Sequence, residues 1–146
     1  MSYENPWLYD GIPYENPDEK YYGFVYEITN TNNNRKYIGK KFFWSTRTKV
    51  VTINKKKKKK RVKLESDWKS YYGSNKELLT DVEQYGTISF NRKIIKLCVS
   101  KSECAYWELD EQIRNEVLLR EDYYNSWIMV KVRKDHLRGI GIEAVP

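Results

Sequence analysis

The sequence predicts an α+β fold, and three observations carry that expectation. Residues 22–29 and 35–43 are rich in aromatic and β-branched side chains and flank Asn30-Thr31-Asn32-Asn33-Asn34, which reads as a β-hairpin around a turn. Residues 76–85 place Leu78, Leu79, Val82 and Tyr85 at helical spacing, closed by Gly86. Residues 89–100 form a third β-like run with Phe90, Ile94, Ile95, Leu97 and Val99, and Ser100-Lys101-Ser102-Glu103 then opens a longer helix with a capping-box pattern.

In chain order, residues 1–20 carry Pro and Gly breakers and the short repeat Tyr3-Glu4-Asn5-Pro6 and Tyr14-Glu15-Asn16-Pro17. They are expected as an extended N-terminal arm whose Trp7, Leu8, Tyr9 and Ile12 could dock on a body of residues 21–127. In the first hairpin, period-two alternation puts Phe24, Tyr26 and Ile28 on one face, with Tyr37 and Gly39 sharing a face of the second strand. Within a basic insertion, residues 48–65, the runs 49–53 and 61–65 are β-like and are separated by Asn54 and six lysines. This reads either as a second hairpin with a lysine tip or as a solvated loop. The last helix is expected to reach about Arg120 with two apolar stripes, Tyr106, Leu109, Ile113 and Val117 on one and Cys104, Trp107 and Leu118 on the other. Tyr123-Tyr124-Asn125 follows, then a basic tail, residues 128–146.

The 146 residues fit one domain with a modest core, and no apolar run of ~20 residues is present, so a soluble protein is expected. The start, MSYENPWLYDG, lacks the basic and apolar regions of a secretory signal, and a cytoplasmic location is expected. Two cysteines and one histidine cannot supply a zinc site without carboxylates. Cys98 and Cys104 suit reduced, half-buried thiols better than a disulfide. The net charge of +7 is concentrated: from Lys40 to Lys63 there are twelve Lys or Arg and no acid, and the rest of the chain is net negative. Such a stripe attracts a polyanion by counterion release, so nucleic acid is the expected partner, with Lys40, Lys41, Lys55, Lys56, Lys57, Lys58, Lys59, Lys60 and Arg61 as binding candidates.

Gly23-Phe24-Val25-Tyr26 is followed, eleven residues after its tyrosine, by Tyr37-Ile38-Gly39, and Arg47 stands eight residues after Gly39. With the order hairpin, helix, strand, helix, Tyr-Asn, this set resembles the GIY-YIG nuclease family, in particular phage-encoded or homing-type endonucleases. The second triplet is intact; the first keeps its tyrosine, with Gly23 one place early. The resemblance implies a small antiparallel three-stranded sheet flanked by helices, and metal-assisted hydrolysis of phosphodiester bonds in DNA, double-stranded by expectation, with Mg²⁺ or Mn²⁺ as cofactor. It also implies roles. Tyr26 would be general base or orienter of water, Tyr37 would align the phosphate, and Arg47 would hold it with a guanidinium fork. Glu108 would be the metal ligand, with Glu111 as second choice three residues on, on the same side of the helix. Asn125 would support the site by hydrogen bonds. Lys40, Lys41 and Arg47 could lower the pKa of Tyr26, which is otherwise a poor base.

Each of these residues has a plainer reading. Arg47 is also one more base in a basic segment, Asn125 a turn former, and Ser74 either a phosphate contact or the N-cap of the middle helix. The histidine that the family often places after the arginine is missing, and the single His136 reads as a surface residue. If an accessory base is needed, Tyr71 or Tyr72 must supply it. The altered first triplet and the missing histidine support an alternative: a nucleic-acid-binding protein on the same fold with little or no cleavage. A third class, a basic tether that uses Lys55 to Lys60 alone, needs only the charge.

Overall fold

A computed structural model describes residues 4–128, and the segment expected as a basic tail, His136 included, lies outside the described residues apart from Ile128. The α+β class holds, with a larger sheet than expected. Strands β1 (Leu8–Tyr9), β2 (Ile12–Pro13), β3 (Gly23–Asn30), β4 (Lys36–Phe42) and β7 (Phe90–Cys98) form one five-stranded sheet in the order β2-β1-β7-β3-β4. β3 pairs antiparallel with both β4 and β7, which is the expected three-stranded unit. The correction comes from the N-terminal segment: β1 pairs with β7 in parallel, making the sheet mixed, and Trp7 is fully buried with its Nε1 donating to the Trp68 carbonyl at 2.7 Å.

Alternation along β3 sends Phe24, Tyr26 and Ile28 to one face and Val25 to the other. The first face is an aromatic core that includes Trp7, Phe43, Trp68 and Phe90, beside helix α1 (Lys76–Tyr85), whose Leu78 is buried in it. The N-cap of α1 is Asn75, whose side chain accepts from Leu78 N–H at 2.9 Å, so Ser74 is not the cap. The second face packs Val25, Ile38 and Cys98 against Cys104 of helix α2 (Lys101–Arg114). Ser100 caps α2 as expected, accepting from Glu103 N–H, while the Glu103 carboxylate accepts from Val99 N–H. α2 stops at Arg114 rather than near Arg120, and Ile113, Leu118 and Leu119 are exposed, so the two apolar stripes are not both covered among the described residues. Cys98 and Cys104 are free thiols, both buried.

The basic insertion is a hairpin of two ten-residue strands, β5 (Trp44–Ile53) and β6 (Lys56–Glu65). Of the six lysines only Lys55 is at its tip, and Lys56 to Lys60 run along β6. The turn is Asn54-Lys55, both at positive φ (51° and 64°), the backbone that matches the twist of a two-residue hairpin.

Candidate active site

A cavity of about 410 Å³ opens beside β4, the last strand of the sheet, lined among others by Tyr26, Tyr37, Lys40, Lys41, Tyr71, Ser74, Glu108 and Gln112. β4 brings three of these. Tyr37 and Lys41 take the face shared with Tyr26, and Lys40 takes the α2 face, because the strand alternates. Between them Gly39 sits opposite Tyr26 in the register, and a methyl group built on it would lie 2.5 Å from the Tyr26 hydroxyl. The glycine therefore keeps open the space that this phenol occupies. A β-bulge between Val25 and Tyr26, where β3 slips against β7, sets the local direction of the strand at the same point. Gly73, at φ +91°, closes the other side, with its absent Cβ 3.4 Å from the same hydroxyl.

Tyr26 is buried to 1% exposure, its ring 6.2 Å from that of Tyr37 and 6.1 Å from that of Tyr71. Burial, then the neighbouring Tyr71 and Tyr37 phenols and the Glu108 carboxylate, hold its pKa well above the ordinary tyrosine value. In the resting site Tyr26 is thus a neutral phenol. Tyr37 is raised in the same direction, again by burial first, and its hydroxyl lies 3.4 Å from Ser74 Oγ. Lys41 Nζ stands 4.2 Å from the centre of the Tyr71 ring and 2.7 Å from Asp67 Oδ1. Across β4, Lys40 Nζ bonds Glu108 Oε1 at 3.1 Å, and burial raises the Glu108 pKa against the lowering pull of that lysine.

The outer edge of β4 is braced by the loop after α2 and by α2 itself. Asn125 Oδ1 accepts from Ile38 N–H at 3.1 Å, Asn125 Nδ2 donates to the Ile38 carbonyl at 2.8 Å, and Gln112 Nε2 donates to the same carbonyl at 3.0 Å. Tyr124 N–H adds a bond to the Lys36 carbonyl.

A family model described as "Putative endonuclease segE, GIY-YIG domain" matches residues 7–128. The chain belongs to the GIY-YIG nuclease family. A curated relative of the same description, from Enterobacteria phage T4, is 33% identical over 104 residues, 71% of this chain and 40% of the relative. The chain thus spans less than half the length of that protein. No solved structure matches.

The fold brings together most of the residues expected of a GIY-YIG site. Tyr26, Tyr37, Lys40, Lys41, Ser74 and Glu108 line one cavity. Glu111 does not line it; its carboxylate is held by Arg114 and Asn115. Asn125 is buried behind β4 and touches the backbone of the Tyr-Ile-Gly triplet instead of the cavity. Arg47 is the correction: it is exposed on β5 and absent from the cavity wall, because the residues after Gly39 continue as strand and carry it outward. The lysines from Lys55 to Lys60 and Arg61 are likewise exposed on the hairpin, away from the cavity. The cavity also holds Tyr71, which the sequence offers only as a substitute base, and Gln112, Trp44, Ser45 and Ser66, which it does not single out. Gln112 was within reach of sequence reasoning, since it lies one helical turn after Glu108 on the same side of α2.

Proposed function

We propose that this chain is an endonuclease that hydrolyses phosphodiester bonds of double-stranded DNA in the cavity beside β4, with a divalent cation, Mg²⁺ or Mn²⁺, held by Glu108. One observation carries the reading: Tyr26, Tyr37 and Glu108 face a single cavity that also receives Lys40 and Lys41.

Among the described residues no group of three or more His, Cys, Asp or Glu side chains gathers. The donor set still suits Mg²⁺, which keeps several waters and is commonly held by one or two carboxylates together with substrate phosphates. Glu108 offers one hard carboxylate, 14% exposed and paired by a single lysine. Such a cation, when bound, supplies positive charge at the phosphate and acidifies water.

The protein's own side chains account for the rest. Lys41 can leave Asp67, whose side chain is 70% exposed and whose ion pair is accordingly weak, and give its ammonium to a phosphoryl oxygen. Tyr37 and Ser74 present hydroxyls on the same side to align the phosphate. Tyr26, neutral at rest, donates its hydroxyl proton in a hydrogen bond to orient water or phosphate. It can accept a proton only once positive charge in the cavity offsets its burial. Asn125 and Gln112 hold the Ile38 peptide and with it the register of Tyr37, Gly39 and Lys40. We place the action of this endonuclease in the cytoplasm, that of a bacterial host if the chain is phage-encoded.

A second reading, duplex binding with little or no cleavage, is favoured by two observations: Arg47 is outside the cavity, and the Tyr26 phenol is held neutral. Supercoiled plasmid incubated with the protein and Mg²⁺ separates the two. Nicking is expected, with a loss of about 100-fold or more in Tyr26→Phe and Glu108→Ala. Equal nicking by wild type and Glu108→Ala would remove Glu108 from the chemistry, and DNA binding without nicking by any preparation would select the second reading.

A further inference from the structure

The β5–β6 hairpin contributes only its root to the cavity, through Trp44 and Ser45, and the fold gives no reason for the rest of its composition. Its residues are exposed from Thr46 to Val50 and from Thr52 to Arg61, and no acid occurs from Trp44 to Leu64. The register divides the bases between both faces of the ribbon. Lys57, Lys59, Arg61 and Lys63 share the face of Trp44. Arg47, Lys49, Lys56, Lys58 and Lys60 share the other, with Lys49 directly opposite Lys60. Like charges placed opposite each other destabilise a strand pair, and an isolated two-stranded ribbon is marginal in water. The hairpin is therefore an element that a polyanion would stabilise.

The choice among polyanions follows from shape. Ten residues per strand make a ribbon of roughly 33 Å. The major groove of B-form DNA, about 12 Å wide, admits a two-stranded ribbon between two walls of phosphate. Bases on both faces meet phosphates on more than one side, as inside a groove; a ribbon lying flat on an anionic surface would need them on one face only. A single strand calls for aromatic platforms, and the only aromatic side chain of the hairpin is Trp44 at the root, with Lys63 Nζ 4.5 Å from its ring centre. The major groove of an RNA duplex is too deep and narrow for a ribbon.

The geometry points to the β5–β6 hairpin as an arm that lies in the major groove of duplex DNA, on one side of the cavity. At ~3.4 Å per base pair the arm spans roughly ten base pairs, so the scissile phosphate is flanked by that length of held duplex. The cleavage part of this inference rests on the nuclease reading; the binding part does not.

The test measures fluorescence anisotropy of the full chain, without divalent ions, against a DNA duplex, its single strand and the matching RNA duplex over a range of salt. Two variants each neutralise one face: Lys56→Gln with Lys58→Gln and Lys60→Gln, and Lys57→Gln with Lys59→Gln and Arg61→Gln. Each is expected to bind the DNA duplex at least tenfold more weakly and to lower the slope of log K against log salt by about 2–3, with smaller changes for the other two ligands. Unchanged duplex affinity in both variants overturns the arm, and equal losses on all three ligands overturn the groove. In the cleavage arm of the test, duplexes shortened from one end should stop being cut when the flank on that side falls below about ten base pairs. Ribbon-dependent duplex binding with no nicking leaves the arm standing and removes the nuclease; nicking with ribbon-independent binding does the reverse.

Discussion

An alanine methyl at position 39 would meet the Tyr26 hydroxyl at 2.5 Å and its Cζ at 2.7 Å, and Tyr26 is walled in by Trp7, Tyr37 and Tyr71. Gly39→Ala is expected to destabilise the protein by about 1–3 kcal/mol in urea titrations. By displacing the phenol it should also cost roughly 100-fold in plasmid nicking. Glu108 gives a prediction of opposite sign for stability. Burial sets its folded pKa above the unfolded value, so its favourable contribution is complete below the unfolded pKa and is lost as pH rises through the folded one. At neutral pH the buried charge costs stability, and Glu108→Gln should melt at a higher temperature than wild type while losing Mg²⁺-dependent nicking. In acid, where the wild-type carboxyl is itself protonated, the two melting temperatures should converge. That Tyr26, Tyr37 and Glu108 line one cavity was expected from the motif order that the sequence resembles. The position of Tyr71 was not, since its place beside Tyr26 depends on how the loop after β6 folds back.

At the scale of elements, Asn125 joins a loop to the edge of β4 as a strand would, offering a donor and an acceptor to one peptide. In Asn125→Ala the Ile38 carbonyl keeps Gln112, but its N–H is left without that partner. The expected loss is about 1–3 kcal/mol by urea unfolding, with a lower nicking rate as the Tyr-Ile-Gly triplet loosens. The strands and helices with strong periodicity, β3, β4, α1 and β7, could be read from sequence within a residue or two. β1 and β2 could not, since two-residue strands beside Pro and Gly carry no period to detect. Arg47 shows that a count along the chain does not fix a place in space: eight residues cover roughly 12 Å along a helix and about 26 Å along a strand, and Arg47 stands on β5, outside the cavity wall.

For the whole molecule, the N-terminal segment belongs to the core. Trp7 lies 5.0 Å from both Phe24 and Tyr26, between ring centres, and its indole N–H closes a bond to Trp68. Trp7→Ala should cost about 3–5 kcal/mol in chemical denaturation, a large share of the stability of a domain this size. The uneven charge was legible without any fold, because a count of Lys and Glu does not depend on where the chain turns. The mixed topology was not, because the parallel contact of β1 with β7 joins two short stretches far apart in sequence, Leu8 with Lys93 and Tyr9 with Ile94, that carry no local signal of each other. That contact also has a bearing on synthesis. Asn5 bonds the Phe90 carbonyl across 85 residues, and β1 waits for β7 over a similar stretch. At ~5–20 residues per second a ribosome needs roughly 4–17 s to make that stretch, during which Trp7 and Leu8 have no strand to pair with. The segment around Trp7 is made before β7 and settles only after it, so a nascent chain arrested before β7 would expose those aromatic side chains to chaperones and proteases.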